Sequence, residues 1–121
     1  MGKRILIVDD SVSIRKSVSF VLSEQGYEVV EAEDGRDGLA KASVALCNLI
    51  ITDINMPNMG GIDFIKALRD MDEYKFIPII ALTTENQSSK MQEGKIAGAT
   101  GWIVKPFTSE KLTAVVKKVL G

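Results

Sequence analysis

Asp9 and Asp10 stand side by side directly after the apolar run Ile5-Leu6-Ile7-Val8. One aspartate in that position can cap a following helix, a role Asp favours. The second has no such role, and two adjacent negative charges at the end of a buried run are costly without compensation. Three more apolar runs close on groups capable of chemistry: residues 48–53 on Asp53, 77–83 on Thr83 and 101–105 on Lys105. Clustered carboxylates raise one another's pKa unless a cation intervenes. An all-oxygen ligand set with no His or Cys suits a hard divalent ion, Mg2+ first. On this reading Asp10 ligates the ion directly and Asp9 acts through a bound water. Asp53 is the candidate nucleophile, forming an aspartyl phosphate. Lys105 and the metal would neutralise the transferring oxygens while Thr83 donates a hydrogen bond. Taken singly, Thr83 is an ordinary strand-end hydroxyl and Lys105 a solvated charge; their shared location is what joins them to the carboxylates.

That shared location depends on the elements between them. Strands are expected at 4–9, 27–32, 48–53, 77–83 and 101–105, from short runs rich in Ile, Leu and Val. Helical spacing joins Ile14, Val18, Val21 and Leu22, with Gln25-Gly26 as the stop. A second helix is expected from Asp34 through Leu39, Ala42 and Leu46, and a third carries Ile62, Ile65 and Leu68 after Gly60-Gly61. The fourth, from Ser88 to Ala97, has a poor apolar face. The fifth has Thr108 as cap, Glu110 in its first turn and Leu112, Val115, Val116 and Val119 on one face.

Strict strand–helix alternation implies a parallel sheet covered on both faces. The second strand, with Glu28 and Glu31 and with Glu33 just beyond, has the polarity of an edge. The fold expected is α/β and flavodoxin-like: a (βα)5 doubly wound, five-stranded parallel sheet of order 2-1-3-4-5. Ligands in such sheets bind outside the carboxyl ends of the strands, where the chain order reverses. Asp9, Asp10, Asp53, Thr83 and Lys105 all fall on that edge.

Composition narrows the classes further. A chain of 121 residues with 45% hydrophobic and 26% charged residues suits one domain spanning 1–121. A net charge of −1 supplies no bulk positive field for nucleic acid or an acidic membrane. No apolar run approaches the length of a membrane span, and Met1-Gly2 leads too quickly into the core for a signal peptide or a lipid anchor. The single cysteine, Cys47, is expected as a buried packing residue and is compatible with a reducing cytoplasm. There is no histidine. His-based triads, His-ligated metals and a phosphohistidine on this chain are therefore excluded.

The segments "ILIVDDS", "IITDINMPNMGG", "IIALTTE" and "GATGWIVKPF", in that order, together resemble the receiver domains of two-component response regulators, most closely the stand-alone, CheY-type ones. Any one segment is a weak signal; four in register over nearly the whole chain are specific. The resemblance implies that Asp53 is the phosphoacceptor and Asp9 and Asp10 the acidic pair. It implies a metal ligand in the backbone carbonyl of Asn55, a switch hydroxyl in Thr83 and its charge partner in Lys105. It also implies a cis peptide bond between Lys105 and Pro106. Trp102 matches the position of an inward-turning switch aromatic, more often Tyr or Phe in the family. Asn55 and Glu85 match positions that tune phosphoryl lifetime. The implied function is a phosphorelay response regulator in the cytoplasm, using Mg2+ and phosphorylated by a histidine kinase. It would signal, as in chemotaxis, to a target such as a flagellar motor protein through the fourth helix, fifth strand and fifth helix. Its only chemistry would be self-phosphorylation from a phosphodonor and autodephosphorylation.

Other readings stay open at this point. A receiver serving a relay outside chemotaxis has the same motifs. An aspartate-nucleophile phosphatase would carry a second acid two positions after Asp53, where this chain has Asn55. A flavin-binding relative of the same sheet order would need a phosphate-cradling loop after the first strand, where "DDSVS" offers carboxylates instead.

Overall fold

Ile5, Leu6, Ile7 and Val8 have no exposed surface, and neither do Leu49, Ile50 and Ile51. Such complete burial on consecutive residues requires strands covered on both faces, because successive side chains point to opposite sides. The structure, a computed structural model, describes residues 2–84 and 88–120. Within them the chain runs β1 (Arg4–Val8), α1 (Val12–Glu24), β2 (Glu28–Ala32), α2 (Gly35–Val44), β3 (Leu49–Asp53) and α3 (Gly61–Arg69). A short 3-10 turn (Asp72–Tyr74) leads to β4 (Ile79–Thr84), α4 (Ser88–Ala97), β5 (Gly101–Lys105) and α5 (Ser109–Leu120). The sheet is parallel throughout, in the order β2-β1-β3-β4-β5, as the alternation and the acidic second strand predict.

Two apolar layers enclose the sheet. Ile5, Ile7, Ile51, Leu82 and Ile103 face Val18 and Leu22 of α1 and Leu112 and Val116 of α5. On the other side Leu6, Val8 and Ile50 meet Phe64, Ile65 and Leu68 of α3 and Ala42 of α2. Cys47 is buried in this second layer, in keeping with a packing role. Its N–H donates to the Tyr74 hydroxyl at 3.0 Å, and that hydroxyl donates to the Ala42 carbonyl at 2.8 Å. A buried phenol needs such partners.

Local chemistry sets the helix starts. Ser11 accepts from Ile14 N–H ahead of α1, Asp34 from Asp37 N–H ahead of α2, and Thr108 from Lys111 N–H ahead of α5. The cap of α1 is thus Ser11 and neither aspartate, which leaves Asp9 and Asp10 for other work. β1, β2 and β3 each lose one expected end residue (Asp9, Tyr27 and Asn48), β4 runs on to Thr84, and two further boundaries differ for local reasons. α2 stops at Val44, because Ala45 turns extended (φ −142°, ψ 125°) to bring Asn48 beside Arg4; Leu46 therefore lies in the connection and is largely exposed. β4 begins at Ile79 and not at Ile77, since Pro78 has no N–H for the ladder.

No helix is long and apolar enough to cross a membrane among the described residues.

Candidate functional site

The sheet register aligns the strand ends. Val8 pairs with Thr52, so one step further Asp9 and Asp53 become neighbours; Asp53 pairs with Leu82, and Thr84 with Lys105. Asp9, Asp10 and Asp53 each offer a carboxylate oxygen within 4.8 Å of the others. Asp9 and Asp53 are buried and Asp10 is exposed. From the fifth strand, Lys105 Nζ reaches both buried acids, at 3.4 Å from Asp9 Oδ2 and 3.3 Å from Asp53 Oδ1.

Each buried carboxylate has backbone support as well. Asp9 Oδ1 accepts the Ser11 N–H at 2.8 Å, and Asp53 Oδ1 accepts the Ile54 N–H at 2.9 Å. These bonds leave Asp53 under-compensated. Burial pushes its carboxyl above the usual carboxylate range, the charge of Asp9 adds to that, and Lys105 and the Ile54 N–H oppose it.

Three carboxylates against one ammonium leave a formal excess of two negative charges among the described residues. The donors are all oxygen, with one exposed acid at the rim. That set fits a hard divalent ion, Mg2+ foremost, and does not fit a soft one. A cleft of about 460 Å³ opens beside Asp10, walled by Ile54, Asn55, Met56, Gly60 and Asp63. Asn55 is thus placed on the wall next to the cluster. A second, more apolar cleft of about 470 Å³ lies on the far side of Lys105, against Ile14, Ser17 and Phe107.

Thr83 sits at the same sheet edge but makes no hydrogen bond to Asp53. Its hydroxyl is buried without a partner among the described residues. Buried hydroxyls are nearly always bonded, which sets this one apart at the strand end. Trp102 pairs with Ala81, and Thr83 with Val104. Alternation therefore puts Trp102 and Thr83 on one sheet face as diagonal neighbours. Trp102 is 36% exposed, so its side chain keeps contact with solvent here. The Lys105–Pro106 peptide bond is cis. Glu85 lies outside the described residues.

Several supporting contacts are not announced by the sequence. Arg15 donates through Nη1 to the Asp9 carbonyl at 2.7 Å and through Nε to Glu31 at 3.2 Å, fixing the β1–α1 loop against β2. Asp63 contributes a further acid to the cleft, and Asp34 bonds Asn58 of the β3–α3 loop. Helical position could have hinted at Asp63, two residues after Gly61. The Arg15 and Asp34 contacts join segments that only the folded chain brings together.

Comparison with known proteins agrees with this geometry. Residues 5–117 match the response regulator receiver domain family. Chemotaxis protein CheY1 of Helicobacter pylori is 41% identical over 120 residues, covering 98% of this chain and 97% of its own. Chemotaxis protein CheY of Pseudomonas aeruginosa is 34% identical over 117 residues, covering 96% and 94%. The solved structure of chemotaxis response regulator CheY4 of Vibrio cholerae superposes with a TM-score of 0.94 at 52% identity, covering 98% of this chain and 99% of that one. The acids at the strand ends, the sheet order and a family match over nearly the whole chain lead to one conclusion: this protein belongs to the response regulator receiver domain family, as a CheY-like member.

Proposed function

We propose that Asp53 accepts a phosphoryl group from the phosphohistidine of a kinase and that the modified domain then changes its affinity for a target protein in chemotaxis signalling. The observation that carries this reading is the reach of Lys105 to both buried carboxylates, 3.3 Å from Asp53 and 3.4 Å from Asp9. It supports the reading because the carboxylate proposed as nucleophile and the ammonium proposed to neutralise phosphate meet at one sheet edge. A carboxylate raised in basicity by burial is also the better nucleophile.

In the transfer, an Asp53 carboxylate oxygen forms the new O–P bond as the N–P bond of the donor breaks. The electron pair leaves on the imidazole nitrogen, which takes up a proton. Because this chain has no histidine, the donor must be another molecule. Lys105 stays beside the product oxygens and offsets their charge. Asp9, Asp10, Asp53 and the Asn55 carbonyl would hold Mg2+, which supplies further charge neutralisation of the phosphoryl oxygens when bound. Thr83 then gains the partner its hydroxyl lacks, and vacates space on the face it shares with Trp102.

The output surface in this reading is α4, β5 and α5. α4 has little apolar surface to anchor it, with Ile96 84% exposed, so its position costs little to shift. The adjoining Trp102 can follow Thr83 inward, giving two arrangements whose populations phosphorylation biases. Such a domain is no catalyst acting on outside substrates; its turnover is its own phosphorylation and autodephosphorylation.

Beryllofluoride, a stable mimic of the acyl phosphate, provides the test. Wild-type protein with Mg2+ and beryllofluoride should bind a flagellar-switch-type target more tightly than unmodified protein, and Asp53→Asn should not respond. Equal target affinity with and without the mimic would contradict the switch.

A further inference from the structure

The loop from Asp53 to α3 must carry the Asn55 wall of the cleft and return at once to the helix start. Its far end is closed by the Gly61 N–H, which donates to the Ile54 carbonyl at 2.8 Å. A Cβ at Gly61 would collide with the Asp53 carbonyl oxygen, so the return is possible only with glycine. At the apex Asn58 has φ 66°, a left-handed conformation that Asn tolerates better than most residues.

That apex is gripped from outside by the β2–α2 turn. Asn58 Nδ2 donates to Asp34 Oδ2 at 2.7 Å, while Asp34 Oδ1 accepts the Asp37 N–H at 2.9 Å. The Gly35 N–H donates to the Met59 carbonyl at 3.1 Å, and a Cβ on Gly35 would fall 2.6 Å from Met59 Cγ. Capping α2 needs only one oxygen of Asp34. The second oxygen, on a side chain that is buried, is committed to a residue 24 positions away. Both acceptor bonds hold its carboxyl below the usual range, so it is ionised and the contact is charge-assisted.

We propose that the Asp34–Asn58 pair is a positioning latch for the metal-binding loop: it fixes the course of residues 54–60 and thereby sets the Mg2+ affinity of the acid cluster. This inference rests on the metal reading given above. Neither residue belongs to the ligand set proposed for the metal. They act at one remove, by holding the loop that carries Asn55; partners bonded directly to a ligand are worth about 10–100-fold in metal affinity.

The test is a residue exchange in the full chain. Asn58→Asp sets two carboxylates against each other with no donor between them. Mg2+ dissociation constants from calorimetric titration with MgCl2 should rise about tenfold. Added negative charge near the site would by itself tighten Mg2+ binding, so the predicted sign separates loop geometry from charge. The double variant D34N/N58D restores the bond in the opposite sense. The amide introduced at position 34 donates to the carboxylate introduced at position 58, and its carbonyl oxygen still accepts the Asp37 N–H. The net charge of this double variant equals that of wild type, and its affinity should return to the wild-type range. Asn58→Gly, which keeps the positive φ accessible without the donor, should weaken binding in the same direction as Asn58→Asp.

Amide hydrogen exchange without metal supplies the second readout. Exchange within 54–60 and at Gly35 should quicken in Asn58→Asp and Asn58→Gly and slow again in the double variant. Unchanged or tighter Mg2+ binding in both single variants would overturn the latch. So would a loss of affinity that persists in the double variant after exchange has recovered. If wild type bound no Mg2+, the metal reading would fail by itself, and unaltered exchange in the single variants would separately overturn the latch.

Discussion

Lys105 Nζ lies 3.3 Å from Asp53 Oδ1, at the ends of strands that are not neighbours in the sheet. β4 stands between them, and its end is occupied by Thr83 and Thr84. The long lysine side chain therefore spans one strand to reach the two acids and is covered on the way, with only 17% of it exposed. The contact is what turns three separate strand ends into one site.

Removing that ammonium should have a double effect. Lys105→Ala leaves Asp9 and Asp53 without their cation, and breaking a buried pair from one side typically costs about 3–5 kcal/mol. Because these contacts are long and Lys105 is partly exposed, a loss nearer about 2 kcal/mol is expected in chelator-treated protein. Thermal unfolding with and without Mg2+ checks this. The Mg2+-induced rise in Tm should be larger in Lys105→Ala than in wild type, as the site then carries one more uncompensated negative charge.

Asp53→Asn should stabilise the metal-free fold at neutral pH. The folded-state pKa of Asp53 is raised by burial and by Asp9, so its ionised form favours unfolding. Below the unfolded value of about 3.9 the group is protonated in both states and costs nothing. The cost appears as pH rises through the folded pKa. The variant should thus melt higher than wild type at pH 7. The gap should close as pH falls towards about 4. A constant gap across that window would contradict the assignment of the penalty to Asp53.

Mg2+ itself should stabilise wild type by mass action, about 1.4 kcal/mol at ten times its Kd. Asp10→Asn, which alters the exposed member of the cluster, should reduce that gain without lowering the stability of the metal-free protein. Melting curves over a Mg2+ series decide the matter. An unchanged Mg2+ response in Asp10→Asn would remove this acid from the ligand set.

Trp102 is the sole tryptophan and shares a sheet face with Thr83. Beryllofluoride with Mg2+ should change its fluorescence in wild type. Thr83→Ala should bind the mimic yet lose most of that change, because the hydroxyl proposed to move is gone. An equal change in both proteins would uncouple Trp102 from Thr83.

Much of this site is readable before folding. The apolar runs give the strands, alternation gives a parallel doubly wound sheet, and the rule for carboxyl ends then collects Asp9, Asp10, Asp53, Thr83 and Lys105 on one edge. Periodicity reports only which face is buried, and it fails where polar bonds decide the path. Leu46 continues the helical spacing of α2 but is released when Ala45 turns to deliver Asn48 to Arg4. Either aspartate could have capped α1, yet Ser11 does so, and Asp9 is drawn inward by Lys105 and the Ser11 N–H. The Asp34–Asn58 bond joins two turns with no shared pattern, and only the finished sheet brings them within reach. The surface position of Trp102 is a matter of packing at an edge strand, which residue type alone does not decide.

The most direct measurement is the intact mass of wild type and Asp53→Asn after incubation with a small phosphodonor, with Mg2+ and with chelator. One added phosphoryl group on wild type, only with Mg2+ and absent from Asp53→Asn, is the predicted result. Equal phosphorylation of the two proteins would contradict Asp53 as the acceptor, and equal phosphorylation of wild type in chelator would contradict the role of the metal.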